Sequence, residues 1–342
     1  MKKLLVLNNS DMEYSYGGIS PFMKHMHPYL SKEYEVKYLV TPKWLLKIPG
    51  PNRLYYLLHV FFNKRQMKKY DFILSHTVEG SYIASFSKVP YAHIFHGNTN
   101  PVEYSRLFYG RWFVGVYNKM YDRIRNTAAL LYTVGPTDNV KIKKLYNPLN
   151  QNVAPLPISE RKGFVFAGRL EIVKRVDLLI EIYSHLPKSI QEQNPFYIIG
   201  YGSLENGLKR LVAEKGLENR VVFVGKVDNS LMMKTVADKR IMLMASITEG
   251  FPTAIAEAFS VGVPVVTTSV GDIGSIVKDG VNGRLLPADF EVKDYIERVQ
   301  SVLNDYEHYS EEAFKSSAVF NGEIITKGVA RDINSLLITK EV

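Results

Sequence analysis

The sequence contains no cysteine. That excludes a disulfide framework and any thiolate metal site, and it fits a reducing compartment. No run of 18 apolar residues occurs, so nothing reads as a membrane-spanning helix. Asp-x-Asp is also missing, and with it a familiar carboxylate grip on a divalent ion beside phosphates. No metal or cofactor is implied. The opening MKKLLVLNNSD offers four apolar residues before Asn8, too short a core for a secretory signal. Internal repeats and low-complexity segments are lacking too.

What remains is an ordinary globular composition, 46% hydrophobic and 23% charged, over 342 residues, enough for two domains each with its own core. Net charge is +9, and it is uneven. Residues 1–150 hold 21 Lys+Arg against 9 Asp+Glu, whereas the rest holds 22 against 25. The first half therefore suits an anionic partner: a membrane surface, an anionic acceptor or nucleic acid. Simple solubility is the plainer explanation.

Residues 241–263, IMLMASITEGFPTAIAEAFSVGV, organise the second half. Ile241 to Ala245 reads as a buried parallel strand. A polar turn, Ser246 to Pro252, follows, and Thr253 opens a helix that Gly262 and Pro264 stop. Glu249 falls in the turn and Glu257 in the helix's first two turns. Ligands of open parallel sheets bind outside the carboxyl ends of the strands, where helix N-termini offer free amides. A diphosphate could lie near Thr253 and Ala254, with each glutamate aimed at a hydroxyl. Two solvated glutamates in an ordinary turn are the bland alternative.

The phrase EGFPTAIAEA resembles the glutamate, seven residues, glutamate motif of retaining nucleotide-sugar glycosyltransferases. These form the two-Rossmann-domain family of lipid and polysaccharide transferases (family 4, glycosyl transferases group 1). The resemblance implies an α/β protein of GT-B architecture, two Rossmann-like domains facing a cleft. Residues 1–155 would be the acceptor side and 156–320 the nucleotide-sugar domain, with 321–342 crossing back to the first. Within it Gly250, Phe251, Pro252 and Thr253 are donor-binding, Glu257 takes the ribose hydroxyls and Glu249 a hydroxyl of the donor sugar.

Earlier in the chain, Lys2 to Asn8 reads as a buried strand, then Gly17-Gly18 and a helix from Ile19 to Leu30. In the resembled family a glycine at Gly18 approaches the donor diphosphate; the alternative is a tight turn. Strands at 35–40, 71–75, 91–95 and 128–134 alternate with helical segments, which predicts a parallel sheet. Residues 43–69 and 101–125 are both basic and aromatic, as in helices that lie on membranes, although aromatic stripes more often serve a core. His96 ends the 91–95 strand, and the resemblance makes it a donor-sugar contact. A helix capped near Thr137 or Asp138 and the turn Asn147-Pro148 close the first domain, and residues 150–162 are the linker.

The second domain opens with a strand, Gly163 to Ala167, then Gly168-Arg169-Leu170 with Lys174 shortly after. An Arg and a Lys flanking such a loop suit a diphosphate, the first bidentately and the second as a point charge. The resemblance makes Arg169 and Lys174 that pair, in a loop at the crevice where removing either should leave folding nearly unaffected. Arg175 departs from the family's frequent glycine. The backbone at Gly225 to Val227 would receive the base, and Gly271-Asp272-Ile273 departs from the family's usual loop.

The implied reaction is transfer of a hexose or hexosamine, from a UDP-sugar first and GDP-mannose second, to a glycan or lipid-linked acceptor. The chain would be cytoplasmic, held peripherally on the inner membrane face by its basic half, with no nucleic-acid role. A sugar-nucleotide epimerase of the same architecture and a basic nucleic-acid-binding protein are the alternatives. The first needs an acid–base set not visible in the sequence, and the second rests on the pI of about 9.3 alone.

Overall fold

The computed structural model describes residues 1–9, 19–48, 52–96, 114–135, 137, 139–149, 152–228, 230–249 and 253–338. They form two compact units, residues 1–150 with 321–342, and residues 151–320.

In the first unit KKLLVL forms β1 (Lys2–Leu7). Its unbroken apolar run is explained by burial on both faces: Leu4 and Val6 join one core, Leu5 and Leu7 the other. Next come α1 (Ile19–Glu33), β2 (Tyr34–Leu39), α2 (Asn52–Phe62), α3 (Lys64–Met67), β3 (Phe72–Ser75), α4 (Val78–Ala84), β4 (Tyr91–Phe95), α5 (Val114–Thr127), β5 (Leu130–Thr133) and β6 (Lys143–Lys144). All pairings are parallel, in the order β2-β1-β3-β4-β5-β6.

Where a helix was expected near Thr137, the described residues instead turn at Asn139 and add β6 to the sheet edge. Short polar side chains explain this. Thr137 Oγ1 accepts from the Asn139 amide at 3.2 Å, and Asn139 Oδ1 from the Lys141 amide at 3.0 Å. Such local bonds compete with a helical turn. The strand then gains ladder bonds to β5.

The basic-aromatic segments divide their residues. α2 buries Tyr56 and Val60 and exposes Leu54, Leu58, Phe61 and Phe62, while α5 buries Met120 and Ile124. Both helices are tied to α4 by Glu79, which is 1% exposed and accepts from Arg53 at 3.1 Å and the Tyr117 hydroxyl at 2.5 Å. Residues 101–113 lie outside the described residues.

The second unit runs β7 (Phe164–Ala167), α6 (Val176–His185), α7 (Lys188–Gln193), β8 (Phe196–Ile199), α8 (Glu205–Glu214), β9 (Val221–Gly225), α9 (Met232–Val236), β10 (Ile241–Leu243), α10 (Thr253–Ser260), β11 (Val265–Thr268), α11 (Ile273–Ile276), β12 (Gly283–Leu286), α12 (Val292–Asn304) and α13 (Tyr306–Ser316). Its order is β12-β11-β10-β7-β8-β9, again all parallel. The chain runs outward from β7 in one direction and from β10 in the other. The connections after these two neighbours therefore lead toward opposite edges of the sheet, and that switch point is where a doubly wound sheet binds its ligand.

The last helix, α14 (Gly322–Ile338), belongs to the first unit. Val329, Ile333 and Leu337 pack with α1 and the sheet, and Tyr132 donates to Asp332 at 2.8 Å. Ile333 is fully buried. Ile333→Ala should therefore cost the first unit about 2–5 kcal/mol through lost burial and a cavity. Both tryptophans, Trp44 and Trp112, belong to residues 1–150, so urea unfolding followed by their fluorescence reads this unit. An unchanged midpoint would show that α14 is not part of its core.

Candidate active site

The loops after β7 and β10 carry the candidate charges. After β7, Leu170 N donates to Tyr201 O at 2.9 Å, and Gly168 N to Ile199 O at 3.0 Å, fixing the backbone on both sides of Arg169. Arg169 itself is exposed. A 3-10 turn, Ile172–Lys174, follows and ends at Arg175 with φ 48° and ψ 48°. That left-handed conformation is glycine's by preference. Here the arginine side chain offsets the cost, since its Nε donates to Ala245 O at 2.5 Å and its guanidinium lies 5.3 Å from the Phe290 ring centre. The departure from glycine thus keeps the turn and adds a tie to the end of β10.

That tie and the bond from Ile247 N to Val173 O, 2.9 Å, hold the two loops together. Lys174 Nζ thereby meets Glu249 Oε1 at 2.5 Å, and Ser246 Oγ donates to the same oxygen at 2.7 Å. The two charged side chains are only 16% and 8% exposed. Lys174 is therefore not a free loop cation, and its removal would leave Glu249 without its cation, contrary to the expectation that folding is nearly unaffected by its loss. Gly271, at φ +57°, lets the loop after β11 close on this turn, since a Cβ there would sit 1.9 Å from Glu249 O.

Glu257 lies on α10 with partial burial, which pushes its carboxyl up to about 7. Thr253 is exposed at the start of that helix. Gly225 takes φ +79° at the end of β9 and its carbonyl accepts from Gly200 N at 2.8 Å, while Val227 is half-buried beyond it. Gly18, Gly250, Phe251 and Pro252 lie outside the described residues. Among the described residues, no hydrogen bond or ion pair joins Arg169 or Glu257 to the Lys174–Glu249 pair.

In the first unit His96 follows β4, and its Nε2 lies 2.9 Å from His76 Nδ1. His76 follows β3, is 5% exposed, and was not singled out in the sequence. The available signal was a histidine directly after an apolar strand, FILS-His76, repeating the placement of HIF-His96. Burial holds both rings neutral, pushing His96 down to about 4 and His76 well below the usual range, the latter aided by its histidine neighbours. His93, pushed down to about 3 by burial, is bonded to Ser81 Oγ at 2.7 Å. Within the first unit neutral imidazoles suit hydrogen bonding to hydroxyls, and within the second an ion-paired lysine suits charge compensation of an anion.

Residues 150–316 match the family described as Glycosyl transferases group 1. An uncharacterised glycosyltransferase of Methanocaldococcus jannaschii is 29% identical over 163 residues, 43% of this chain and 41% of that one. A Campylobacter jejuni α-1,4-N-acetyl-D-galactosaminyltransferase acting on an undecaprenol-linked glycan is 28% identical over 187 residues, 51% of this chain and 50% of that one. The matched segments thus span about half the length of these relatives or less. Among solved structures, Anabaena HepE in complex with UDP superposes with a TM-score of 0.70 at 18% identity, covering 97% of this chain and 100% of that one. At that identity the likeness establishes the fold: two Rossmann-like units.

The Glu257 shift gives a pH test. The unfolded carboxyl titrates near 4.5 and the folded one near 7, so between these the folded state holds the extra proton. The stabilising contribution is complete below the lower value and is lost as pH rises through the upper one. Glu257→Gln should remove this decline and stabilise the ligand-free protein at about pH 8 by on the order of 2 kcal/mol. Parallel melting curves of both proteins from acid to alkaline pH should diverge as pH rises; curves that stay parallel would place Glu257 in water.

Proposed function

We propose that the protein is a retaining glycosyltransferase, a reading supported by the match of residues 150–316, nearly all of the second unit, to glycosyl transferases group 1. It moves a hexose or hexosamine from a nucleoside-diphosphate sugar, UDP first, to a hydroxyl of a glycan or lipid-linked acceptor. The observation that carries this reading is the Lys174–Glu249 pair at the β7/β10 switch point, with Glu257 on the following helix. HepE's bound UDP and the galactosaminyltransferase's lipid-linked substrate support the choice of donor and acceptor classes.

In the proposed reaction the acceptor oxygen attacks the anomeric carbon from the face that the diphosphate leaves. The bond from that carbon to the phosphate oxygen breaks, and the acceptor's proton passes to a diphosphate oxygen. Arg169 and Lys174 neutralise the charge that grows there. An ammonium has three donors. Lys174 can keep one on Glu249 and turn the others to phosphate, so the apo ion pair need not break. Glu249 orients a donor-sugar hydroxyl, and Glu257 accepts from the ribose hydroxyls. Gly225 and Val227 present backbone to the base. Gly250 to Thr253 and Gly18 serve the diphosphate, and His96 bonds a sugar hydroxyl. No metal is called for in this scheme.

Arg169→Ala and Lys174→Ala should each lower transfer by about 10²-fold or more. Lys174→Ala should also melt lower, because it leaves Glu249 buried with only Ser246 beside it. Transfer from a verified UDP-sugar, assayed below both melting points, decides the matter. Near-normal turnover in both variants would refute the phosphate role.

The same reading places the protein peripherally on the inner face of the cell membrane, through its basic half. Support comes from a groove of about 620 Å³ on the first unit, lined by Phe61, Phe62, Phe86, Lys64, Arg65 and Lys68. Lys64 and Arg123 lie 5.2 and 3.8 Å from the Phe86 ring centre. Among the described residues no helix is long and apolar enough to cross a membrane. Near an anionic leaflet each basic residue contributes on the order of 1 kcal/mol, screened by salt, while exposed phenylalanines add a salt-insensitive part. The protein should sediment with anionic vesicles at low salt and leave them partly at high salt. Changing Lys64, Arg65, Lys68 and Lys69 to Glu should abolish sedimentation and spare UDP binding. Indifference of the wild type to such vesicles would make a soluble acceptor the better choice.

A further inference from the structure

We propose that His76 is a positioning residue for His96, occupying its Nε2 and thereby presenting its Nδ1 to the hydroxyl that His96 binds. This rests on the reading of His96 as a donor-sugar contact, and adds to it a residue and an atom.

The geometry is that of a fixed pair. β3 and β4 are hydrogen-bonded neighbours, and one histidine leaves the carboxyl end of each. His76 N donates to Leu7 O at 3.0 Å, which anchors its backbone to β1. Phe22, fully buried on α1, meets both rings edge to face, with centroids 5.7 Å from His76 and 5.0 Å from His96. The two imidazoles are tilted by 32° and joined by the 2.9 Å bond.

A neutral imidazole has one N–H and one lone pair. A bond between two such rings takes a proton from one and a lone pair from the other. If His76 donates from Nδ1, His96 carries its own proton on Nδ1 and can donate to a hydroxyl. If His96 donates from Nε2, its Nδ1 is bare and accepts. In both cases Nε2 is spent on His76 and Nδ1 is the contact atom. The tautomers of the two rings change together, so His96 can serve a hydroxyl as donor or acceptor without gaining charge. Burial disfavours the imidazolium in both rings, which keeps this neutral bond intact near neutral pH.

If His76 were only filler, another ring of similar size would replace it. His76→Phe keeps the ring and removes the bond. His76→Asn keeps a polar atom near the Nδ1 position, and His76→Gln carries its amide farther out. Transfer should fall by roughly 10²-fold in the Phe variant, with UDP affinity unchanged. The Asn variant should recover most of it, and the Gln variant little. Long-range ¹H–¹⁵N spectra of the wild type should show Nε2 of His96 hydrogen-bonded, and those resonances should move in His76→Phe. If the Phe variant does not fold, Asn against Gln makes the same comparison. Near-normal turnover in the Phe or Gln variant, with unmoved His96 resonances, overturns the proposal. Unchanged turnover in His96→Ala would instead defeat the donor-sugar reading, while the spectra still judge whether His76 sets the ring of His96.

Discussion

A carboxylate almost shut off from water must find a cation or take up a proton, and Glu249 has Lys174. Much of the second unit's carboxyl edge follows from meeting that demand. The loop after β7 must deliver a lysine to a turn that begins three strands later in the sequence. It does so through a left-handed turn at Arg175, whose side chain then grips the end of β10. Ser246 supplies a second donor to the same oxygen, and its own carbonyl accepts from Thr268 at 2.6 Å. Below the loops, the Tyr295 hydroxyl bridges Met244 and Val266, so the ends of β10 and β11 are fixed relative to each other. Replacing such a pair by apolar residues often preserves stability, whereas removing one partner does not. The presence of the Lys174–Glu249 pair is thus not by itself an argument for stability, whereas breaking it would be costly.

Both units pair a buried carboxylate with a cation, Glu79 with Arg53 and Glu249 with Lys174, and both suppress charge by burial, at His76, His93 and His96 in the first and at Glu257 in the second. What differs is the group left at the ends of the strands. The lysine of the second unit suits compensation of an anion. The neutral imidazoles of the first suit recognition of hydroxyls, because uncharged donors and acceptors discriminate by geometry more than by field.

The architecture was legible because strands buried on both faces leave unbroken apolar runs such as LLVL and FVFA, each followed by polar loop residues. The glutamate-to-glutamate stretch was legible because its strand, turn and helix are contiguous. What escaped is what long-range pairing decides. Nothing near Lys174 in sequence says that its partner is 75 residues away, or that Ser246 shares it. Arg175 appeared only as a departure from glycine, since a left-handed φ is invisible unless glycine marks it. His76 was passed over because one histidine after a strand carries no signal until the neighbouring strand is known to end in another. The helix expected near Thr137 lost to side-chain–backbone bonds that compete locally and to an edge strand only two residues long.

The placement of α14 bears on how the chain emerges from the ribosome. Domains usually fold as units, N-terminal first, as they are synthesised. Here the first unit's core includes Val329, Ile333 and Leu337, which are made after all of residues 151–320. Nascent α1 and β2 must therefore wait, with Tyr34 and Leu30 uncovered on the face that α14 later occupies, while the second unit already has its full sequence. The half of the molecule synthesised first is thus the last to be completed. During that interval its apolar face is left to water, and its completion is tied to the synthesis of the last helix.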